Sequence, residues 1–542
     1  MAAELWAQDP DVGKRVGLTA AECESAALAA TVPPGSIGEP VSGVVLDSMT
    51  WVPAGQGGPA HCRLAGRLLP VDTSSTAPPI RFALALPEAW NRRAIQVGGG
   101  GMNGRVPRLT GIVAGPFGGP SDLQQGFATY GSDSGHGNDP SWLLNDEAIR
   151  NLGHAQMKKT HDVAMVLIGR AYGERPTFNY YVGGSQGGRE ALTVAQRYPE
   201  DYDGVLATVP IVGFSTLMLA PSLTRIQEKQ LEHWVPPTKG QAILAEFMRQ
   251  CDDLDGQVDG VINNYADCRA LFNVNDGGRE PDPWAKLRCP GNADPNPQNA
   301  SIGDCLTAEQ IETVNFVFST YMSPANLANG RETFGMWAPS TAVAGAGGFG
   351  PPPGSGAPGR GAPVRAMAPP GALFVAERYR GQEGAADDAP IFSTLGSEGV
   401  NGITMQELSA NPLDYDVEKH RARHEQISPW LDSTDPDLSG FRKSGGRLIV
   451  VVGTDDLVAP SGEQLDYYQS VLDTMGRSAV DEFARFYVLP QTGHSLSGFS
   501  ASVDGRGAAL QPAPIPNGID RFALLRNWVE RGEAPGRSEV VT

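Results

Sequence analysis

The 542-residue sequence is poor in positive charge and has no long hydrophobic run. Its 42 lysines and arginines are outnumbered by 61 aspartates and glutamates, which gives a formal net charge of −19. Such an acidic surface repels phosphate backbones and anionic lipids, so binding to nucleic acid or to a membrane surface is disfavoured. No apolar stretch approaches the roughly 18 residues that a membrane-spanning helix needs. The sequence instead has the composition of a globular protein, with 40% hydrophobic residues.

The first 14 residues also lack the basic and apolar regions of a secretory signal. There are nevertheless six cysteines, an even number, and they fall into three sequential pairs: Cys23 with Cys62, Cys251 with Cys268, and Cys289 with Cys305. No pair has CxxC spacing, which argues against a zinc knuckle or a thioredoxin-like site. Disulfides in an oxidising compartment explain this pattern, with six buried free thiols as the alternative. We expect a secreted or periplasmic protein whose leader is not part of this chain.

Short β-branched and aromatic runs predict strands that alternate with helical patterns. The strands are Arg81–Leu86, Ala94–Val97, Phe178–Val182, Arg447–Val452 and Arg485–Leu489, and the helices are Met157–Arg170 and Asp520–Arg531. This alternation is typical of an α/β fold with a largely parallel sheet covered on both faces.

The alternation breaks down in the middle of the chain. Residues 215–440 contain four of the six cysteines and a Gly/Pro/Ala tract, residues 342–371, which cannot pack as a regular element. The simplest organisation is one α/β domain, formed by residues 1–214 and 441–542, that is interrupted by an inserted domain at 215–440.

The strongest chemical signal follows the predicted strand at 178–182. The sequence Gly183-Gly-Ser-Gln-Gly187 matches G-x-S-x-G and leads into a helical pattern. In the order strand, tight turn, helix, this motif exposes a nucleophilic serine on a strained backbone. Gly-rich chains also match the pentapeptide by chance, so a purely structural turn is the alternative. The context favours Ser185 as a nucleophile.

The remaining members of a catalytic triad can be sought by chain order, which is Ser, acid, His in α/β-hydrolases. The predicted strand at 447–452 runs into Asp455 and Asp456, and His494 is the only histidine downstream of them. A histidine there would accept the serine proton while the carboxylate fixes its tautomer. We prefer Asp456 to Asp455 as the acid, because it lies three residues after the strand-ending glycine.

Ester hydrolysis also needs N–H donors for the tetrahedral oxyanion. The backbone N–H of Gln186, at the start of the helix, is one candidate. The Gly-rich run after the strand at 94–97 offers a second, at Gly100 or Gly101, because glycines present an N–H without an obstructing side chain. A phosphate-binding loop is disfavoured, since the Lys-Ser/Thr of a P-loop is missing.

Two further clusters suggest metal binding. The segment at 251–261, CDDLDGQVDGV, places four aspartates within eight positions, and such a set of hard oxygen ligands suits Ca²⁺. A solvated acidic turn is the alternative. His420 and His424 are four residues apart, but no HExxH glutamate accompanies them, so a solvated helix face is favoured over zinc.

Together, these segments resemble the tannase and feruloyl esterase family of α/β-hydrolases, which also contains enzymes that cleave mono(hydroxyethyl) terephthalate. The resemblance is carried by CESAALA, AHCRLAG, VGGGGMNG, SDSGHG, YYVGGSQGGREALTVAQRYPEDYDGVLATVP, CDDLDGQVDGVI and DCLTAEQ, and it covers roughly residues 20–320 and 445–530. It implies an α/β-hydrolase fold with a lid inserted before the acid, and it supports the three cysteine pairings.

The resemblance also implies a structural calcium ion in the lid. Carried over by position, its ligands would be the carboxylates of Asp252, Asp255 and Asp259 and the backbone oxygens of Gln257 and Val261.

This sequence departs from the family in two places. Family members typically carry cysteines directly before the nucleophile and directly after the histidine, which join the two loops, whereas this chain has Gly184 and Ser495 there. The Gly/Pro/Ala tract stands where the lid would contact the substrate.

The function we expect is that of a serine carboxylesterase acting through an acyl-enzyme on a small-molecule ester of an aromatic acid, of the hydroxycinnamic, gallic or phthalate type. An esterase or lactonase for aliphatic or secondary-metabolite esters is the alternative on the same triad. A calcium-stabilised binding domain without activity is a more remote one. No organic cofactor is expected.

Overall fold

The structure, a computed structural model, describes residues 16–55, 58–112, 119–279, 282–295, 305–344 and 398–539. Most of the Gly/Pro/Ala tract therefore lies outside the described residues. In the described part of the chain, no helix combines the length and the apolar character needed to cross a membrane.

Thirteen strands are present in the described residues, and nine of them form one sheet in the order β13-β12-β9-β8-β6-β7-β4-β3-β2. The strands are β1 Val16–Gly17, β2 Gly43–Val52, β3 His61–Leu69, β4 Ile80–Pro87, β5 Ala89–Trp90, β6 Arg93–Val97, β7 Ala128–Ser132, β8 Phe178–Gly184, β9 Gly204–Thr208, β10 Tyr321–Leu327, β11 Arg331–Phe334, β12 Arg447–Gly453 and β13 Ala484–Leu489. From β13 to β7 the neighbours are parallel, and β4, β3 and β2 extend the sheet in antiparallel fashion.

The helices cover both faces of the parallel part and fill the middle of the chain. They are α1 Ala20–Cys23, α2 Asp146–Arg150, α3 Gln156–Tyr172, α4 Gln186–Arg197, α5 Phe214–Gln227, α6 Gly240–Cys251, α7 Tyr265–Phe272, α8 Ala308–Phe318, α9 Val417–Leu431, α10 Ser439–Lys443, α11 Ser461–Met475, α12 Arg477–Asp481 and α13 Arg521–Arg531. Short 3₁₀ turns lie at Pro34–Ser36, Pro140–Leu144, Leu231–His233, Pro237–Lys239, Ala285–Leu287, Pro290–Asn292, Ala328–Gly330, Thr341–Ala344 and Pro412–Asp414, and π-helical turns at Asn151–Ala155 and Val400–Thr404.

The central strands are buried almost without interruption, as in β6, β7 and β12, because both of their faces are covered. In β12, Ile449 and Val451 belong to a cluster that includes Trp528 of α13. Their neighbours Val450 and Val452 belong to another cluster, which α4 and α11 share. The strand thus buries alternate residues against helices on opposite sides.

The five strands and two helices predicted from the sequence are all present, within one or two residues of the expected bounds. Strands β2, β3, β7 and β9 were not predicted. Since six neighbouring strands of the sheet are parallel, the expectation of a largely parallel sheet is confirmed. The antiparallel strands β4, β3 and β2 at one edge were not part of that expectation.

The middle of the chain adds no strand to this sheet within the described residues between β9 and β12. It consists of α5–α9 and the antiparallel hairpin β10–β11. Its core is continuous with the rest, because one buried cluster contains Phe247 and Trp284 of the insertion together with Ile211 and Ala459 from either side. The boundaries at 215 and 440 stay a prediction.

All six cysteines are paired as the sequence order suggests. Cys23–Cys62, Cys251–Cys268 and Cys289–Cys305 have Cα–Cα distances of 5.6, 5.1 and 4.8 Å, and no free cysteine remains. The alternative of free thiols is therefore not what the structure shows. The first bridge ties α1 to β3, and the other two lie in the insertion.

Candidate active site

The candidate catalytic residues follow strands that lie side by side. Ser185 comes directly after β8, the acidic pair directly after β12, and His494 five residues after β13. These strands run parallel, with β9 between β8 and β12, so their carboxyl ends meet at one edge of the sheet. This is the edge at which α/β proteins bind their ligands.

Ser185 occupies a strained turn between β8 and α4. Its backbone has φ 60° and ψ −121°, a conformation that non-glycine residues rarely adopt. Its N–H donates to the Thr208 carbonyl oxygen at 2.9 Å, which ties the turn to β9. The residue is half-buried. The geometry is that of a nucleophile elbow.

Two glycines in the motif allow strand and helix to come this close. A Cβ on Gly183 would lie 2.2 Å from the Gly187 carbonyl oxygen, and a Cβ on Gly187 would lie 2.6 Å from the Gly99 carbonyl oxygen. Either atom would collide with backbone, so larger residues would push the elbow apart. Gly184 differs, because a Cβ there would make only ordinary contacts, at 3.7 Å or more.

His494 and Asp456 form the pair expected of a triad. His494 Nδ1 lies 2.8 Å from Asp456 Oδ2, and the Asp456 side chain is fully buried. The other carboxylate oxygen accepts the backbone N–H groups of Val458 and Ala459 at 2.8 and 2.9 Å. These donors fix the carboxylate, which in turn orients the imidazole with Nε2 directed away from the acid.

Asp455 makes a different set of contacts. Its Oδ2 accepts from the backbone N–H of Thr341, at 3.1 Å, and from the Thr341 hydroxyl. Burial raises the pKa of Asp455 to about 6. The structure thus supports the choice of Asp456 over its neighbour as the partner of His494.

Hydrogen bonds join the loop that carries Asp455 and Asp456 to the loop that carries His494. The Asp455 N–H donates to the Thr492 carbonyl at 3.0 Å, and the Gln491 N–H donates to Thr454 Oγ1 at 2.8 Å. Gly453 leaves no space for a Cβ, which would lie 2.2 Å from the Thr492 carbonyl oxygen. The two loops are therefore in direct backbone contact.

The predicted oxyanion donors lie on a loop packed against the elbow. A Cβ on Gly98 would lie 2.8 Å from Gly187 Cα, so this loop contacts the first turn of α4. Gly100 and Gly101 are exposed, and Gly101 has φ +60°. The Gln186 N–H belongs to the first turn of α4, where N–H groups have no acceptor within the helix. The role of these N–H groups as oxyanion donors stays a prediction.

Sequence analysis missed the residue that holds this loop. Glu190 of α4 is 1% exposed, and its Oε2 accepts the Gly99 N–H and the Tyr181 hydroxyl, both at 2.9 Å. Its Oε1 accepts from the side chains of Asn103 and Gln156. Four donors thus fix one buried carboxylate under the Gly-rich loop. In the sequence, Glu190 has no feature that distinguishes it from a glutamate on the exposed face of a helix.

The acidic loop at 252–261 folds through its own carboxylates. Asp252 is buried and accepts the N–H groups of Gly260 and Gly505 at 2.9 and 2.7 Å. Asp255 and Asp259 each accept the N–H two residues ahead, of Gln257 and Val261 respectively. No basic side chain within the described residues pairs with these aspartates. The oxygen-rich donor set suits a hard cation in its chemistry.

The carboxylates of this loop are nevertheless spread apart. In the described part of the chain, the one trio of His, Cys, Asp or Glu ligand atoms lying within 4.8 Å of one another is His161, Asp162 and Asp201. There Lys158 already donates to both aspartates at 2.9 Å, so positive charge is present without a metal. A cation in the acidic loop would have to draw its three carboxylates closer.

The expectation for His420 and His424 is wrong. Both lie on α9, and they are only 7% and 3% exposed, so they do not form a solvated face. His420 stacks on Tyr415, and His424 Nε2 lies 3.1 Å from the Ser215 hydroxyl. Burial lowers the pKa of His424 to about 4. The charged residues around them in HRARH suggested an exposed helix face, although the two histidines, spaced i, i+4, lie on its buried side.

Comparisons with known proteins agree with this geometry. Residues 62–542 match the sequence model described as tannase and feruloyl esterase. An uncharacterized esterase of Agrobacterium fabrum is 32% identical over 539 residues, covering 95% of this chain and 86% of that protein. The mono(2-hydroxyethyl) terephthalate hydrolase of Piscinibacter sakaiensis is 27% identical over 515 residues, covering 88% and 77%.

The fold also matches a solved structure. The crystal structure of feruloyl esterase B from Aspergillus oryzae superimposes with a TM-score of 0.67 at 24% identity, covering 95% of this chain and 91% of that one. This likeness confirms the predicted α/β-hydrolase fold.

The hydrogen-bond pattern predicts opposite outcomes for the two neighbouring aspartates. Asp456→Asn should lower kcat by about 10⁴-fold, because an amide stabilises the wrong tautomer of His494. Asp455→Asn should leave kcat within about threefold, because an amide oxygen still accepts from Thr341. Steady-state kinetics on both variants measures this, and the reverse ranking would assign the acid to Asp455.

The matched Asp455→Asn variant also has a predictable stability profile. Since the pKa of Asp455 is raised to about 6 in the folded state, its contribution to the free energy of unfolding is present at low pH and is lost as the pH rises from about 4 to 6. Asp455→Asn should remove that decline. Urea unfolding of both proteins between pH 4 and 7 measures the difference, and parallel profiles would contradict it.

The Glu190 contacts predict a loss of rate without a loss of substrate binding. Glu190→Gln replaces one acceptor oxygen by an NH₂ group that opposes a donor, so the Gly-rich loop should shift. We expect kcat to fall by about tenfold or more with KM nearly unchanged. Glu246→Gln, at a buried glutamate in α6 that pairs with Arg249, is the matched control. Equal kinetics in the two variants would contradict a role for Glu190 in holding the loop.

Proposed function

The chain belongs to the tannase and feruloyl esterase family and is a carboxylic ester hydrolase, and from that premise we propose that it cleaves esters of aromatic acids with Ser185, His494 and Asp456 as its catalytic triad. The observation that carries the proposal is the 2.8 Å contact between His494 Nδ1 and the buried Asp456, at the sheet edge where the strained elbow presents Ser185.

The reaction follows from these positions. Ser185 Oγ attacks the ester carbonyl carbon while His494 Nε2 accepts its proton, and Asp456 stabilises the imidazolium that forms. The N–H of Gln186 and that of Gly100 or Gly101 bind the oxyanion. His494 then protonates the departing alcohol, which leaves an acyl group on Ser185. A water molecule, deprotonated by His494, releases the acid and restores the serine.

The aromatic acyl group is supported by the named relatives. One is a hydrolase of a terephthalate monoester and others are feruloyl esterases, so both cleave esters of an aromatic acid. We extend that class, covering hydroxycinnamic, gallic and phthalate-type acids, to this chain. Such esters are small uncharged or anionic molecules, and neither nucleic acid nor a membrane is proposed as a partner.

Substrate choice is tested with a panel of esters. Methyl ferulate, methyl gallate and mono(2-hydroxyethyl) terephthalate are compared with p-nitrophenyl acetate and butyrate by kcat/KM. We expect at least one aromatic-acid ester to be hydrolysed with a kcat/KM about tenfold or more above that of the aliphatic esters, normalised for leaving group. Turnover of aliphatic esters or lactones alone would assign the alternative substrate class.

The nucleophile is tested on the same panel. Ser185→Ala should lower kcat by about 10⁴-fold or more while the protein stays folded, because only binding and the oxyanion donors then remain. Ser495→Ala is the matched control, since this exposed serine next to His494 bonds only to Ser497 among the described contacts. Wild-type rates in a folded Ser185→Ala protein would refute the assignment.

We also propose that the acidic loop binds Ca²⁺ as a structural ion. The donors would be the carboxylates of Asp252, Asp255 and Asp259 and the carbonyl oxygens of Gln257 and Val261. The proposal is supported by three aspartates without basic partners, one of them fully buried. A bound cation would neutralise them and close the loop.

Calcium binding predicts a measurable loss of stability on chelation. A ligand that binds only the folded state adds about 2.7 kcal/mol at a hundredfold excess over its Kd, so EGTA should lower Tm and added Ca²⁺ should restore it. Asp255→Asn should abolish this response, whereas Asp253→Asn, at an exposed neighbour outside the ligand set, should keep it. An unchanged Tm with no calcium by metal analysis would leave the loop as a solvated turn.

A further inference from the structure

Gln491 joins the histidine loop to the acidic loop through its side chain. Its Nε2 donates to the Gly260 carbonyl at 3.0 Å, and its Oε1 accepts the Ile262 N–H at 3.1 Å. The residue is 2% exposed. A carboxamide is suited to this place, because it is the side chain that offers a donor and an acceptor side by side.

The backbone of Gln491 is held in an unusual conformation at the same time. Its φ is +49°, in the left-handed region that glycine and asparagine favour. Its N–H donates to Thr454 Oγ1, in the loop that carries Asp456, at 2.8 Å. Gln491 therefore links its own loop, which carries His494, to two others: the loop of Asp456 and the acidic loop of the insertion.

The acidic loop is itself fixed to the chain on the other side of the histidine. Gly260, which accepts from Gln491, also accepts the Ala501 N–H at 2.8 Å. Asp252 joins the N–H groups of Gly260 and Gly505 through its two oxygens. The segment 491–505, which contains His494, is thus attached to the acidic loop near both of its ends.

We propose that Gln491 is a positioning residue for His494, and that it uses the acidic loop as a platform to hold the imidazole in register with Asp456 and Ser185. This inference rests on the proposed function. His494 follows Gln491 by three residues, and all six cysteines of the chain are paired elsewhere. The buried carboxamide is therefore a noncovalent link between the loop of His494 and the acidic loop.

The proposal gives the acidic loop a role in turnover as well as in stability. A substitution that removes a hydrogen bond of Asp252, Gly260 or Gln491 should alter the orientation of the His494 imidazole. The expected signature is therefore a fall in kcat with little change in KM.

The test compares two buried glutamines of the same kind. Gln310 in α8 also accepts one backbone N–H, from Thr307, and donates to one carbonyl, of Trp234, but it lies in the insertion away from His494. Gln491→Met should lower kcat by about tenfold or more with KM within about twofold. Gln310→Met, which loses equivalent hydrogen bonds, should leave kcat near that of the wild type. Equal kcat values for the two variants would overturn the proposal.

A second pair of variants covers the case in which Gln491→Met does not fold. Gln491→Glu keeps the acceptor for Ile262 but replaces the donor to Gly260 with a carboxylate oxygen that repels the carbonyl, and it should show the same fall in kcat. Asp252→Asn weakens the hydrogen bonds that tie the acidic loop to Gly505. Combined with a Gln491 variant, it should lower kcat by less than it does alone, because both changes act on the same link. Full additivity would overturn the proposal.

A spectroscopic measurement separates this inference from the proposed function. The Nδ1–H proton of His494, hydrogen-bonded to Asp456, gives a far-downfield ¹H resonance that His494→Ala identifies. The signal should weaken in Gln491→Met and persist in Gln310→Met. If the wild type hydrolyses no ester, the proposed function fails while this signal still tests the link. An unchanged signal in Gln491→Met would overturn it.

Discussion

The contact between the Gly-rich loop and the first turn of α4 is the constraint on which the rest of the site depends. Gly98 and Gly187 are so close that a single Cβ on either would collide with backbone. That approach packs the Gly-rich loop after β6 against the helix that follows Ser185, and the buried Glu190 accepts the Gly99 N–H of the loop. The loop, the nucleophile elbow and the carboxylate that holds the loop thus belong to one packed unit.

The other half of the site rests on hydrogen bonds between loops. The acid loop and the histidine loop are in backbone contact, and Gln491 fastens both to the insertion. A disulfide would do this by a covalent bond that tolerates local motion. Buried hydrogen bonds achieve it only where every donor and acceptor is matched, which makes the loop sensitive to single substitutions. The insertion therefore has a direct structural connection to the loop that carries His494.

Much of this architecture could be predicted from the sequence, since local signals carry it. Four of the six parallel strands, β6, β8, β12 and β13, are short runs rich in β-branched and aromatic residues. The elbow has its glycines, and chain order leaves His494 as the one histidine after the acid. Strand β2 was missed because its exposed face and polar residues weaken the pattern. Glu190 and Gln491 were missed for another reason: their partners lie up to about 230 residues away in the chain, and no local pattern encodes a long-range hydrogen bond. The burial of His424 was missed for the same reason, because its partner Ser215 lies 209 residues away, whereas the burial of His420 was hidden by the charged residues around it.

The most direct test of the account is to observe the acyl-enzyme on Ser185. A p-nitrophenyl ester of an aromatic acid has a good leaving group, which favours acylation over deacylation. Rapid mixing with this ester, followed by acid quench and peptide mass spectrometry, therefore captures the covalent intermediate. The account predicts one acyl group per chain, on the peptide that contains Ser185, together with a stoichiometric burst of p-nitrophenol. Acylation of a different residue, or equal labelling in Ser185→Ala, would contradict it.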